Sequence, residues 1–473
     1  MVRRAFVSVV ALAVMAVLLS SCSGNGSKSV APAAQAAQGT QTAQPTLATD
    51  VLAGAATAQT LPVTPASKTY AVADPSFEAL PGARAIFGKY SGGAYKIEVP
   101  DDWNGDVVYF AHGFRGSAPQ LTVDPPPLRQ YFIDHGYAWA ASSYTENGYE
   151  PGAGARDTLA LKDVFAQQVG TPKHQYIYGQ SMGGHVVTFS MEQYPTAYDG
   201  ALSECGVVAG HEILDYFLSW GALAAYFSST DLTGVTTSAN ALGSAIKDAV
   251  LPALGTPENP TAKGRAFEDV IENMTGGPRP FFGEGYGAQY GLNFLVLVDA
   301  AGNAGPSNAA ADNSKAVYRI DAGFGVTSAQ LNHDIARIAS NPMYRDPATY
   351  PEFAPETGKI QRPILTLHGT GDLFVPISEE QAYRKIVNAA GNGNLLVQRA
   401  IRSAGHCNYS EQEREQAFND LVQWVTAGKK PAGDDLSGDL SDIGRQFTTP
   451  LQPNDPGTVH APAPAAATAS ATP

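Results

Sequence analysis

Three residues far apart in the chain have the types needed for acyl transfer. Ser181 stands in Gly179-Gln180-Ser181-Met182-Gly183, Asp372 in "LHGTGDLFVP" and His406 in "SAGHCNYS". A serine hydroxyl is a weak nucleophile until a base takes its proton. Histidine is the side chain suited to that task near neutral pH, and a carboxylate behind it fixes the tautomer and stabilises the imidazolium. The five-residue pattern alone does not separate a nucleophile from a small residue in a tight turn. Position separates them, because all three groups must reach the same edge of one scaffold.

The scaffold is legible as an alternation of periods. Short β-rich runs come first: "ARAIFGKY", "AYKIEVP", "DVVYFAHG" and "YAWAASSY". A helical stretch from Thr158 to Val169 follows, then "HQYIYGQS" as a strand. The residues after Ser181 suit a helix until Pro195 stops it. "DGALSECG", "PILTLHGT" and "LLVQRAI" read as further strands, with a helix from Pro376 to about Ala390 between the last two. The final helix has the plainest signature. Ser410 and Glu413 make a capping box, Phe418, Leu421, Val422 and Val425 share a face, and Gly428 and Pro431 end it. Strands alternating with helices after an initial run of strands predict an α/β fold built on a mostly parallel, doubly wound sheet.

The stretch from 211 to 361 breaks the alternation. It holds "ILDYFLSWGALAAYF" and Gly-rich pieces such as "FFGEGYGAQYG". We read it as a cap inserted over the C-terminal edge of the sheet, where open α/β sheets bind ligands. Its aromatics Tyr216, Phe217, Trp220, Tyr226, Phe227, Phe281, Phe282 and Tyr286 could line an apolar pocket or form the cap's own core.

The core is then 68–210 together with 362–430. Residues 23–67 are rich in Ala, Gln, Thr and Ser and read as a flexible tether, and 431–473 as a Pro/Ala-rich tail, disordered or loosely docked. Before the tether, Arg3 and Arg4 precede the apolar run "AFVSVVALAVMAVLL", the pattern of an export signal. Leu19-Ser20-Ser21-Cys22 resembles the lipobox of bacterial lipoproteins. The resemblance implies lipid on Cys22, membrane anchoring through it, and an exported cell-envelope protein on the periplasmic or extracellular face. The formal net charge of −14 argues against nucleic acid as a partner.

In chain order, "AHGFRG" with His112-Gly113-Phe114, the Ser181 turn, Asp372 and His406 resemble the α/β-hydrolase superfamily over about residues 83 to 428. The resemblance implies Ser181 as nucleophile, His406 as base and Asp372 as acid. It implies an oxyanion hole built from the backbone N–H groups of Met182 and Phe114. His211 is a rival base. Glu204, Glu379 and Glu380 are rival acids, the latter two placed in the first turn of a helix. His112, His185 and His368 read as structural. No metal or nucleotide motif occurs and no cofactor is expected.

Of three cysteines, Cys22 belongs to the lipobox, leaving Cys205 and Cys407. Both fall on the expected active edge, and in an oxidising compartment we expect them to pair, tying the His406 loop to the sheet. Some secreted esterases of the tannase and feruloyl esterase types also carry a Cys directly after the histidine. They pair it with one directly before the serine, where this chain has Gln180. The leading expectation is a serine hydrolase cleaving a small or polymeric carboxylic ester through an acyl-enzyme. A serine peptidase or amidase is the alternative, and a catalytically silent binding scaffold is the third.

Overall fold

The computed structural model describes residues 59–60, 69–90, 92–232, 238–303 and 305–449. Residues 1–58, with the leader and Cys22, lie outside the described residues. Eight strands form one sheet: β1 (Ala83–Tyr90), β2 (Gly93–Pro100), β3 (Val107–Ala111), β4 (Ala138–Ser142), β5 (Gln175–Gln180), β6 (Gly200–Glu204), β7 (Ile364–Gly369) and β8 (Leu396–Ile401). Their spatial order is β1-β2-β4-β3-β5-β6-β7-β8. β2 runs antiparallel to both neighbours, and from β4 to β8 every pairing is parallel. This order and direction are the α/β-hydrolase fold expected above.

From β3 to β8 the strands are buried on both faces, so their apolar residues are not confined to alternate positions, whereas β1 is at most half-buried. Period two still sorts the side chains. On one face Val107, Tyr109 and Ala111 pack with helices α2 (Pro151–Gln168), α3 (Met182–Gln193) and α7 (Ser378–Ala389), through Leu161, Phe165, Val186, Val187 and Tyr383. On the other, Val108 and Phe110 pack with α1 (Arg129–Asp134) and α8 (Glu411–Ala427), through Phe132, Phe418 and Leu421. The capping box of α8 is formed, with Ser410 and Glu413 exchanging hydrogen bonds, and Gly428 closes the helix at φ 66°.

Three further helices, α4 (Glu212–Ser228), α5 (Ala262–Met274) and α6 (Phe282–Asn303), lie within the stretch read as the cap. They share a core in which Trp220 meets Phe267 edge-on at 5.1 Å and Tyr290 meets Phe294 at 5.2 Å. The two uses foreseen for the aromatics are divided between residues. Tyr216, Trp220, Phe227, Phe281, Phe282 and Tyr286 are buried, whereas Phe217 and Tyr226 line a cavity.

Two boundaries need correction. The tether is not structureless throughout, since Gln59–Thr60 pair in parallel with Ile338–Ala339. The tail is not loosely docked from 431. Leu436 and Leu440 are buried against Ile377 and Ala400. The Asp434 N–H donates to Gln398 O at 2.8 Å, and its carboxylate accepts from the Ala400 N–H at 2.8 Å. The segment thereby covers the open edge of β8, which a sheet otherwise leaves exposed to pairing with other chains. Residues 450–473 lie outside the described residues. Among the described residues no helix is long and apolar enough to cross a membrane.

Candidate active site

β5 ends at Gln180 and α3 begins at Met182, so Ser181 has to turn the chain within one residue. It does so at φ 58°, ψ −123°, a region that costs a residue with a Cβ on the order of 1–3 kcal/mol. The surroundings hold it there. The Ser181 N–H donates to Glu204 O at 3.1 Å, and its carbonyl accepts from Gly184 and Val207 at 2.8 and 3.1 Å. The flanking glycines allow helix and strand to approach. A Cβ on Gly179 would lie 2.1 Å from the Gly183 carbonyl oxygen, and one on Gly183 would lie 2.0 Å from the Ala111 carbonyl oxygen. We therefore expect Gly183→Ala to cost about 3 kcal/mol or more by overpacking, read as a lower thermal midpoint and a lower soluble yield.

The three residues expected to act together lie in one hydrogen-bonded row. His406 Nε2 is 2.9 Å from Ser181 Oγ, and His406 Nδ1 is 2.6 Å from Asp372 Oδ2. The other oxygen of Asp372 accepts from the N–H groups of Phe374 and Val375 at 2.9 and 3.1 Å. Asp372 is fully buried, while the His406 side chain keeps 18% of its surface exposed. The Phe374 ring packs against the imidazole, with centroids 4.9 Å apart. A buried carboxylate held by two backbone donors, facing a partly open imidazole, gives the base a fixed tautomer and an open side toward a reactant.

The rivals are engaged elsewhere. Glu204 accepts from Gln180 Nε2 at 2.8 Å and Arg414 Nε at 3.1 Å. Glu379 accepts from the Ala209 N–H at 2.9 Å, and Glu380 accepts from Thr366 Oγ1 at 2.8 Å. Both glutamates stand in the first turn of α7. His211 stacks on Phe353, and burial pushes its imidazole down to about 3, too low for an effective base at neutral pH. His112 stacks on Tyr144 and is likewise pushed by burial to about 3. His185 lies 3.1 Å from Glu356, and His368 Nε2 is 2.8 Å from Val375 O.

Met182 is the first residue of α3, so its N–H has no acceptor inside the helix. Phe114 and Met182 line the same cavity as Ser181. A Cβ on Gly113 would be 3.0 Å from the Ser181 Cβ, which sets how closely the loop after β3 approaches the serine. That leaves Met182 and Phe114 as the candidate donors to an oxyanion.

Cys205 and Cys407 form a disulfide, with Cα atoms 5.1 Å apart. The two cysteines and His406 lie close enough together to resemble a metal-ligand group, but each sulfur is bonded to the other and neither is a thiolate. Arg414 adds a second tie. Its Nη2 donates to Cys407 O at 2.8 Å while its Nε contacts Glu204. Gln180, which stands where the tannase-type pattern has a cysteine, is bonded to that same Glu204.

One participant had no signal in the sequence. Gln289 on α6 is buried and reaches both the loop that carries Asp372 and the loop that carries His406. Its Nε2 donates to the carbonyls of Gly371 and Ala404, each at 2.9 Å. Its Oε1 accepts from the N–H groups of Leu373 and Phe374 at 3.1 and 2.7 Å. Beside it, Asn293 Nδ2 donates to Leu373 O at 2.9 Å and Arg279 Nε to Thr370 O at 2.7 Å. These partners are more than 75 residues away in the chain, and no local pattern marks them.

Above Ser181 lies a cavity of about 700 Å³. Leu214, Phe217, Leu218, Ala222 and Leu297 give it an apolar wall. Its lining also includes Glu146, Glu150, Asp299 and Glu352, the last of them paired with Arg156.

No protein-family profile matches the chain. It is 22% identical over 413 residues to the o-phthalyl amidase of Xanthobacter agilis, a match that covers 73% of this chain and 88% of the amidase. Among solved structures it is similar to feruloyl esterase B from Aspergillus oryzae, at 15% identity and a TM-score of 0.42 over 74% of this chain and 81% of that one. It is also similar to the acylaminoacyl peptidase of Pyrococcus horikoshii, at 11% identity and a TM-score of 0.37 over 75% of this chain and 43% of that one.

Proposed function

We propose that the protein is a serine hydrolase that cleaves a carboxylic ester through an acyl-enzyme. The observation that carries the reading is the unbroken row from Ser181 Oγ to His406 Nε2 and from His406 Nδ1 to Asp372. In the first half-reaction Ser181 Oγ adds to the ester carbonyl and His406 Nε2 takes the hydroxyl proton. The tetrahedral oxyanion accepts from the N–H groups of Met182 and Phe114. His406 then gives its proton to the departing alcohol as the carbon–oxygen bond breaks. In the second half water takes the place of the serine hydroxyl, and the acid leaves. Each oxyanion donor contributes on the order of 100-fold or more in rate. A silent scaffold has no need of a strained serine facing a carboxylate-backed imidazole.

An amide is the second reading, favoured by the 22% identity to an o-phthalyl amidase. The chemistry differs only in the leaving group, an amine that must be protonated by His406 before it departs. Assays of matched p-nitrophenyl esters and p-nitroanilides of the same acyl groups separate the two. Higher kcat/KM on the ester by at least the intrinsic reactivity difference supports the esterase, and equal or higher values on the anilide support the amidase.

The cavity bears on the substrate. Its apolar wall accepts an acyl or aryl group.

Export and lipid anchoring at Cys22 belong to the same proposal and rest on the residues of the leader. The Cys205–Cys407 disulfide supports them, because such bonds persist in oxidising compartments. Mass measurement of the mature N-terminus tests them.

A further inference from the structure

Between them, two loops carry the acid and the base. Residues 370–375 follow β7 and hold Asp372, and residues 403–408 follow β8 and hold His406. Both are irregular, so neither ladder nor helix satisfies their backbone groups, and buried groups of that kind need partners. Gln289 partners both at once. Its carboxamide bonds two N–H groups and one carbonyl of the acid loop and one carbonyl of the base loop, all within 3.1 Å. Carbonyls stand on one side of the amide and N–H groups on the other, which fixes its orientation. The Phe374 N–H is shared, donating to Gln289 Oε1 at 2.7 Å and to Asp372 Oδ1 at 2.9 Å. Gln289 therefore touches the same donor that holds the catalytic carboxylate.

The helix that carries Gln289 is built for this approach. A Cβ on Gly285, one turn earlier, would lie 1.8 Å from the Gly371 carbonyl oxygen. Toward its other end, Asp299 accepts from Ser117 Oγ at 3.2 Å, beyond the Phe114 loop. A single cap helix thus bonds the acid loop, the base loop and the segment after the oxyanion loop.

We propose that Gln289 is a positioning residue, which sets the separation of the Asp372 and His406 loops from within the cap. The triad geometry is then a joint product of core and cap rather than a property of the core alone. The proposal rests on the serine-hydrolase reading above. It predicts that the cap is not a loose cover, and that disturbing this one amide lowers turnover without weakening substrate binding.

The test uses the full-length protein with Gln289→Met and Gln289→Glu. Each preparation is first titrated with a fluorophosphonate, so that rates are expressed per competent active site even where a variant folds poorly. Gln289→Met removes all four hydrogen bonds to the two loops at nearly constant volume. It is expected to lower kcat on a p-nitrophenyl ester by about 10- to 100-fold, as a small misplacement of reacting groups does, with KM within about threefold. Gln289→Glu is the conservative variant: buried against the carbonyls of Gly371 and Ala404, its carboxyl is expected to keep its proton, and so one donor beside the acceptor. It is expected to recover about threefold or more of the kcat that Gln289→Met loses, a recovery that a packing defect does not produce. Wild-type-like kcat in Gln289→Met overturns the proposal, as does a raised KM with kcat unchanged, or a Gln289→Glu kcat no higher than that of Gln289→Met. If the wild type itself neither labels nor turns over an ester, the serine-hydrolase reading has failed, and the failure is not that of Gln289.

Discussion

Ser181→Ala is expected to lower kcat on a p-nitrophenyl ester by on the order of 10⁵- to 10⁶-fold. The reason is that, in the proposed mechanism, the hydroxyl is the atom that forms the acyl-enzyme, and nothing else in the row can take its place. His406 and Asp372 have no work without it, so adding His406→Ala to the variant should cost little more. A residual rate above that in water should remain, since the donors of Met182 and Phe114 and the cavity are untouched. Stability should hardly change, because alanine bears the same Cβ in the same φ 58° conformation. Ser181→Gly makes the contrast. It removes the Cβ that makes this conformation costly and should raise stability by about 1 kcal/mol while abolishing activity equally. Activity assays beside denaturant unfolding of the three proteins check both halves. A Ser181→Ala variant retaining a tenth of the wild-type rate is incompatible with the proposed mechanism.

Loss of the disulfide is expected to have a large effect on stability. Cys205 and Cys407 are 202 residues apart in the chain. The chain-entropy relation gives roughly 5 kcal/mol for a closed loop of that length, and removal of a native disulfide typically costs about 2–5 kcal/mol. Both cysteines also adopt left-handed backbone conformations, φ 46° and 55°, which carry local strain and bring the net figure toward the lower end. Activity should fall as well, because Cys407 is the neighbour of His406. It should fall rather than vanish, because Arg414 still holds the Cys407 carbonyl and Gln289 still holds Ala404. Denaturant unfolding of Cys205→Ser/Cys407→Ser against wild type, with and without reductant, measures the first effect. Reductant should destabilise the wild type and leave the double variant unchanged.

Much of this site was legible because its parts obey local rules. Six of the strands are buried on both faces and largely apolar, and β1 and β2 are β-rich runs, so all eight were visible, and each chemical group could be assigned to a strand end. The capping box of Ser410 and Glu413 and the terminal Gly428 marked α8 to the residue. Other parts obey only tertiary rules. α2 begins at Pro151, seven residues before the expected start at Thr158, and its added turns hold Gly152 and Gly154, which lower helix propensity. They are in fact contact residues, for a Cβ on Gly154 would lie 2.8 Å from Val186 Cγ2. The Gly-rich run that opens α6 carries little helical signal for the same reason. Its glycines lower helix propensity by about 1 kcal/mol each, and Gly285 is needed for contact with Gly371. Gln289 was invisible since its partners are backbone groups of distant loops, which any residue type supplies. The docked segment 432–449 falls within the Pro/Ala-rich tail, although Leu436, Leu440 and Phe447 carry its burial.

The most direct test of the central claim is covalent. Native protein is treated with a fluorophosphonate near neutral pH, and the adduct is located by peptide mass mapping. The expected result is one adduct on Ser181, absent from Ser181→Ala and formed far more slowly in His406→Ala, with loss of ester hydrolysis tracking the extent of labelling. A folded wild-type protein that hydrolyses esters yet takes no adduct at Ser181, or one that labels equally well as Ser181→Ala, contradicts the account.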